Sequence, residues 1–350
     1  MRVLHLWTKA NVACGVSRVL KCLLETETDI ELFFYFENGD NANYFKQYNN
    51  VYFFKGKYFL TKLFELLTFC IKNQIDIIHS HHRYYDLLAY LLNKLLKNVK
   101  TVTTVHYHSY DKKLLSYKAN MLIAVSDEIK RMLIKNYKIK EEKIITLYNP
   151  VDNKVKEITI DPVELKKKLL IEENKTIVGY IGRFDYSVKY LNIITKAIPK
   201  ILELNKNIIF LFIGNGIDRI RLLNETLSFK ENIKIIDSIQ HIGNSYNIID
   251  VLISPSPIES FGLTVIEAGL FSKPVIVNVN GAFKNYLADG KTAIFFNNSD
   301  DLVVKLLNLI SNNELMSELG SKLNKYITIN HSLEKYIKIL REIYLTLLLK

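Results

Sequence analysis

Short apolar runs rich in β-branched and aromatic residues alternate with amphipathic stretches along this chain, break off once, and then start again. The first series is VLHLW (3–7), IELFFYF (30–36), DIIHSH (76–81), TVTTVH (101–106), MLIAVS (121–126) and IITLYN (144–149). Runs of this length and composition read as strands. The stretches between them, such as 15–25 and 60–73, place apolar residues at i, i+3 and i+4 and read as helices. Strands that are apolar throughout and separated by helices call for a parallel sheet covered on both faces. The pattern fails at NPVDNKVKEITIDP (149–162), a polar segment with two prolines, which reads as a linker. It resumes at 176–182, 207–214, 233–237, 250–256, 274–279 and 293–296, with helices at 188–204 and 264–271. A last amphipathic helix, 332–349, has no strand after it.

A chain of 350 residues exceeds one core of roughly 150 residues. The expected architecture is α/β: two successive doubly wound parallel-sheet domains facing a central cleft. Their limits are 1–150 and 151–330, and residues 331–350 form a helix that crosses back to the first domain. In such sheets ligands sit beyond the carboxyl ends of the strands, so chemistry is sought among the glycines and charges there.

Three cysteines, with no CxxC and no Cys/His cluster, supply neither a disulfide framework nor a zinc site. The start MRVLHLWTKA lacks the pattern of a secretory leader, and no run of about 18 apolar residues occurs. An unexported chain that does not span a membrane is expected. The net charge of +11 is uneven, with +8 in residues 1–150 and +3 in the rest. Segments such as KGKYFLTKLFELLTF and LLNKLLKNVK interleave lysine with Leu, Phe and Tyr. That surface suits an anionic membrane or nucleic acid, and charge alone does not choose between them.

The richest segment is SPSPIESFGLTVIEAGLFSKPVI, residues 254–276. A buried strand delivers Glu259 into a loop, Phe261 and Gly262 turn the chain, and a helix opens at about Leu263 with Glu267 in its first turns. Free N–H groups from Phe261 through Gly262 and Leu263 to Thr264 would make a phosphate site. An acid such as Glu267 could accept hydrogen bonds from a vicinal diol such as ribose. In VGYIGRFDYSVKYL (178–191), Arg183 stands at a strand end and Lys189 in the opening turn of the next helix, two cations suited to a diphosphate. Arg183 could instead pair with Asp185 on the surface. Gly15, in the loop between the first strand and helix, would let backbone approach a phosphate. LFIGNGIDR has Gly214 and Gly216, but Arg219 stands where a dinucleotide fingerprint needs its third glycine. His79, His81, His82, His106 and His108 gather at two strand ends, either lining a polar cleft or offering metal ligands. No HExxH supports the second option, and no Asp-x-Asp pair exists for a metal-diphosphate clamp.

Together these segments resemble glycosyltransferase family 4, whose members have the GT-B fold of two Rossmann-like domains. Glu259 and Glu267, seven residues apart, look like the family's E-x7-E motif, and GRFDYSVK looks like its Gly-Arg…Lys phosphate-binding segment. FIGNGIDR, AVSDEIKRML and LYNPVD resemble further family segments, Gly15 matches the acceptor-domain glycine loop, and His106 matches a histidine after a Thr-x pair. Asp237, Ser238 and Ile239 fall at the family's base-contacting strand end. Departures occur at Tyr190 and Ser272, where the family has glycine, and at Ala282 and Asn285.

The resemblance implies a retaining, metal-independent hexosyltransferase without a cofactor. It would use a UDP-sugar or GDP-sugar donor and the hydroxyl of a glycan or lipid-linked acceptor, in bacterial cell-surface polysaccharide synthesis at the cytoplasmic face of the membrane. Glu259 and His106 would act at the reacting centre, and Arg183, Lys189, Gly15 and residues 261–264 at the diphosphate. Glu267 would hold the ribose, and Ser238 and Ile239 the base. On this reading the basic surface belongs to the acceptor half and meets an anionic membrane rather than nucleic acid. A GT-B sugar-nucleotide epimerase and an inactive nucleotide-sugar scaffold are the alternatives.

Overall fold

The computed structural model describes residues 1–9, 15–39, 42–111, 113–237 and 241–349. Met1–Pro150 with Leu333–Lys350 forms one compact unit, and Val151–Ser332 a second. Among the described residues the first unit contains strands β1 (Arg2–Lys9), β2 (Glu31–Glu37), β3 (Val51–Phe53), β4 (Ile77–Ser80), β5 (Lys100–Val105), β6 (Met121–Ala124) and β7 (Ile144–Thr146). The second contains β8 (Thr176–Ile181), β9 (Ile208–Ile213), β10 (Ile233–Ile236), β11 (Val251–Ser254), β12 (Val275–Asn278) and β13 (Ile294–Phe296). Each unit is a single parallel sheet, ordered β3-β2-β1-β4-β5-β6-β7 and β10-β9-β8-β11-β12-β13.

Both orders reverse direction once, between β1 and β4 and between β8 and β11. Such a reversal opens a crevice at the carboxyl ends of the two strands, where doubly wound sheets bind ligands. The apolar strands are buried because helices cover both faces. Leu4, Leu6 and Ile78 pack with Leu66, Leu88 and Leu92 of two first-unit helices, and Phe210, Phe212 and Ile253 pack with Ile194, Ile198 and Leu306 in the second.

The last helix, Leu333–Leu348, packs on the first unit because Tyr336, Leu340, Tyr344 and Leu347 repeat at helical spacing and are buried. Tyr344 Oη lies 2.6 Å from His79 Nδ1, and Arg341 Nε donates to Asp29 at 2.7 Å. Among the described residues no helix is long and apolar enough to cross a membrane.

Three features depart from the sequence reading. The edge strand β3 was not anticipated, because three half-buried residues carry no periodicity. The helix expected over 188–204 is two pieces, Tyr186–Lys189 and Asn192–Leu204, interrupted where Tyr190 takes a left-handed φ of 54°. Lys189 therefore ends a one-turn helix instead of opening a long one. The linker is also structured: Asn244 Oδ1 accepts from the N–H groups of Thr159 and Ile160 at 2.9 and 3.2 Å, and Val155 is buried.

Ser272, which like Tyr190 departs from a glycine of the family this sequence resembles, also has a left-handed φ of 54°. Its carbonyl oxygen would lie 1.9 Å from a Cβ placed on Gly320, so the turn is held tightly against the helix Asn313–Asn330. A side chain in this backbone region costs about 1 kcal/mol, and the greater unfolded freedom of glycine returns part of that. Ser272→Gly is expected to stabilise the protein by about 0.5 kcal/mol, read as a melting temperature higher by roughly 1–2 °C.

Candidate active site

In the second unit the site is built on the reversal between β8 and β11. After β8 the chain turns at Gly182, and the loop 182–184 lies against the loop after β9. A Cβ on Gly214 would sit 2.0 Å from Gly182 O, and one on Gly216 would sit 2.2 Å from Phe184 O. The two glycines of FIGNG thus serve close backbone packing, secured by Phe184 N–H donating to Asn215 O at 2.9 Å. Tyr180, buried under this loop, donates its hydroxyl to Arg183 O at 2.8 Å. Burial, then the nearby Glu259 charge, raises the Tyr180 pKa, so the phenol stays protonated and the bond persists.

The Arg183 guanidinium makes the suspected contact with Asp185, at 3.5 Å, yet its side chain is 60% exposed. An ion pair this exposed is weak, and Asp185 is occupied elsewhere. Its carboxylate caps the helix Tyr186–Lys189, accepting from Ser187 Oγ at 2.7 Å and from the N–H groups of Ser187 and Val188 at 3.1 Å. The Ser187 hydroxyl, aided by Val188 N–H and the Arg183 charge, holds Asp185 below the usual carboxylate range despite burial. Arg183 is therefore anchored through its backbone with its charge presented outward.

The cap fixes the one-turn helix that carries Lys189, whose Nζ lies 2.6 Å from Glu259 Oε2. Glu259 comes from the loop after β11, so the pair bridges the two strand ends that flank the reversal. The loop is pinned on both sides, by Ser256 Oγ donating to Val188 O at 3.0 Å and by Ala282 N–H donating to Glu259 O at 3.0 Å. Tyr286 Oη donates to Phe261 O at 2.6 Å and its ring stacks on Phe261. Gly262 then turns with φ 91°, where a Cβ would lie 2.4 Å from the Phe283 ring. This turn opens the helix Leu263–Leu270, whose first N–H groups, at Leu263 and Thr264, lie before its internal hydrogen-bond ladder.

Glu267 lies on that helix but is almost wholly buried, and Tyr246 Oη donates to its Oε2 at 2.7 Å. The structure thus gathers Arg183, Lys189, Glu259, Phe261, Gly262, Leu263 and Thr264 around one strand-end reversal, with Glu267 held behind by a buried phenol. Ser238 and Ile239 lie outside the described residues.

In the first unit, Gly15 is the first residue of the helix Gly15–Leu24, and the loop before it lies outside the described residues. The expected histidine cluster is divided. His82 caps the helix Arg83–Leu95 by accepting from Tyr84 N–H at 3.1 Å. His5, His79 and His81 form a buried stack that the half-buried His106 continues past the end of β5, with His5 Nδ1 3.0 Å from His81 Nε2 and His81 Nδ1 3.0 Å from His106 Nε2. His79 Nε2 lies 2.7 Å from Thr104 Oγ1. Burial drives all four imidazoles down, His5 and His106 to about 3, and keeps them neutral at pH 7. His81 and His106 line a small pocket with Arg83, Tyr107 and Tyr117.

Sequence reasoning missed Tyr180, Tyr246, His5 and the capping role of Asp185. The first two are tyrosines in apolar surroundings, with no local sign of the carbonyl or carboxylate they bind. Asp185 could have been found as Asp three residues before Val188 at a helix start. His5 lay inside a run that reads as plain core.

Comparison with known proteins bears on the family and the fold. The model for Glycosyltransferase Family 4 matches residues 17–155, and that for Glycosyl transferases group 1 matches residues 163–326. An alpha-monoglucosyldiacylglycerol synthase of Acholeplasma laidlawii is 30% identical over 189 residues, 53% of this chain and 47% of that relative, so the match spans about half of its length. An uncharacterised glycosyltransferase of Methanocaldococcus jannaschii is 28% identical over 313 residues, 83% of this chain and 81% of its own. The structure of HepE from Anabaena in complex with UDP superimposes with a TM-score of 0.87 at 16% identity, covering 99% of this chain and 100% of that one. The fold is therefore GT-B, and the chain belongs to glycosyltransferase family 4.

Proposed function

We propose that this glycosyltransferase moves a hexose from a UDP- or GDP-sugar to a hydroxyl of a lipid-linked glycan acceptor, with retention and without a metal. The observation that carries the reading is the Lys189–Glu259 pair at the β8/β11 reversal with the exposed Arg183 charge beside it. Breaking the bond between the anomeric carbon and the phosphate oxygen leaves negative charge on the diphosphate. Arg183, Lys189, the N–H groups at Gly262 and Leu263, and on the first unit the Gly15 loop, are assigned to stabilise it. The acceptor oxygen bonds to the anomeric carbon from the face the diphosphate leaves, and the acceptor proton passes to the departing phosphate oxygen. No protein base is consumed. Glu259 orients the sugar and offsets its positive charge, Glu267 takes the ribose diol, Ser238 and Ile239 take the base, and His106 contacts the sugar near the reacting centre. HepE, crystallised with UDP, and the diacylglycerol glycolipid enzyme of Acholeplasma laidlawii support this donor and acceptor chemistry.

The test is the anomeric proton of the product, followed by NMR during transfer from an α-linked donor. An α-linked product is expected. A β-linked product would overturn the same-face mechanism, and conversion of the donor sugar without acceptor would favour the epimerase.

The proposed lipid side is the helix Phe59–Lys72. Leu60, Phe64 and Ile71 form an apolar stripe, each more than 60% exposed, beside the exposed Lys55, Lys57 and Lys72. Not every lysine of this region contributes. Lys62 turns inward, 2.5 Å from Glu37 and within 6 Å of the Phe54, Tyr84 and Tyr85 rings. An apolar stripe flanked by cations fits an anionic bilayer surface, and this supports the proposed site of action at the inner membrane face. The double substitution Leu60→Ser/Phe64→Ser removes about 2 kcal/mol of insertion and should weaken binding to anionic vesicles roughly 30-fold. Equal binding of the unaltered protein to neutral vesicles at low salt would sink the idea.

A further inference from the structure

The neutral imidazoles of the first unit form a directional chain. Starting from His5, the sequence of atoms is Nδ1 of His5 to Nε2 of His81 at 3.0 Å, then Nδ1 of His81 to Nε2 of His106 at 3.0 Å. Each neutral ring carries one proton, and each bond needs one donor and one acceptor. Only two arrangements satisfy both bonds. In the first, every ring is protonated on Nε2, protons point from His106 towards His5, and His106 Nδ1 is left a bare acceptor. In the second, every ring is protonated on Nδ1, protons point from His5 towards His106, and His106 Nδ1–H is left a donor.

The buried end of the chain decides between them. His5 is fully buried and stacked on Phe34 at 5.0 Å, and its Nε2 has no hydrogen-bond partner among the described residues. The first arrangement leaves an N–H orphaned there, and the second leaves only a lone pair. Orphaned buried N–H groups are the rarer and costlier kind. His79 is engaged on both sides, with Nδ1 2.6 Å from the Tyr344 hydroxyl and Nε2 2.7 Å from Thr104 Oγ1; each hydroxyl can donate or accept, so either tautomer of His79 satisfies both ring nitrogens.

We propose that His5 and His81 are positioning residues which hold His106 as the Nδ1–H tautomer, so that it serves the transfer reaction as a hydrogen-bond donor and not as a base. The relevance to catalysis rests on the proposed role of His106, while the tautomer itself can be read without substrate. Burial also lowers the pKa of every ring in the chain. A donor directed at a sugar hydroxyl or phosphate oxygen agrees with a mechanism in which the leaving phosphate takes the acceptor proton.

Metal binding is the competing use of these rings. Among the described residues, His5, His79 and His81 bring potential ligand atoms within 4.8 Å of one another. Ligands of one ion aim their lone pairs at a common point, whereas here His79 stacks on His81 with 24° between planes and His5 on His81 with 19°. Both nitrogens of His79 are already engaged.

The test is long-range proton–nitrogen NMR of the full-length, histidine-labelled protein at pH 7, where eight histidines give a small spectrum. The expected pattern is Nδ1–H at His5, His81 and His106. His81→Leu should return His106 to the Nε2–H form that predominates in free imidazole side chains. His81→Gln, whose amide can accept from His5 and donate to His106, should keep it on Nδ1. An Nε2–H signal at His106 in the unaltered protein would overturn the proposal, as would an unchanged His106 in the leucine variant. Co-purifying zinc at one equivalent that shifts these signals would also overturn it. None of these results depends on which sugar is moved, so failure of the tautomer chain is distinct from failure of the transferase reading.

Discussion

Replacing Lys189 with methionine is expected to lower kcat/KM for the sugar-nucleotide donor by about 10²–10³. The ammonium is assigned to charge that grows on the diphosphate as the glycosidic bond breaks, and removing one such stabilising group costs roughly 3–4 kcal/mol in the transition state. A second effect adds to this. Glu259 would lose the cation held 2.6 Å away, while its side chain is only 15% exposed, so an uncompensated carboxylate would face an anionic substrate. The pair should therefore be non-additive. Combining Lys189→Met with Glu259→Gln is expected to cost less than the product of the two single losses, because the repulsion disappears with the charge. Steady-state kinetics of the four proteins checks this. Full multiplicativity would mean that the two side chains act independently, against the bridged arrangement of the β8 and β11 loops.

Acid should unfold the first unit well before ordinary carboxylate titration would. His5, His79 and His81 are buried, and each has its pKa lowered, chiefly by burial. In the unfolded chain these imidazoles bind protons near pH 6.5, while in the folded chain they do not. The unfolded state then holds more protons, so stability is fully present above pH 6.5 and is lost as pH falls below it. An imidazole kept neutral at pH 5 costs about 2 kcal/mol relative to the unfolded chain, and three cost about 6. A whole domain is stable by only about 5–15 kcal/mol. Asp86 works in the opposite sense, since burial raises its pKa, but it is one group against three. Thermal unfolding should show the first-unit transition falling by more than about 10 °C between pH 7.5 and pH 5. A flat profile over that range would mean that the rings are charged or solvated in the folded protein.

The fold was legible because its signal is redundant. Strands such as IIFLFI at β9 and VIVN at β12 are apolar on both faces and leave parallel pairing as the economical solution. The edge strand β3 had no such redundancy. In the site, the residues legible from sequence were those carried by local geometry: a carboxylate before a Phe-Gly turn, a cation after a strand. Contacts between distant segments were not. Lys189 meets Glu259 across 70 positions, and Glu267 meets Tyr246 from another helix. A sequence shows that such partners are present without showing that they touch. The break at Tyr190 was hidden for a different reason, since its left-handed backbone contradicts the preference of the residue itself.

The central claim is that Arg183 and Lys189 hold a nucleoside diphosphate at the β8/β11 reversal without a metal. Calorimetric titration with UDP and with GDP in the presence of EDTA tests it most directly, in the unaltered protein and in Arg183→Ala and Lys189→Met. The account predicts that one of the two nucleotides binds in EDTA and that each substitution weakens it at least tenfold. Silence with both nucleotides, binding that needs a divalent ion, or equal affinity in all three proteins would contradict it.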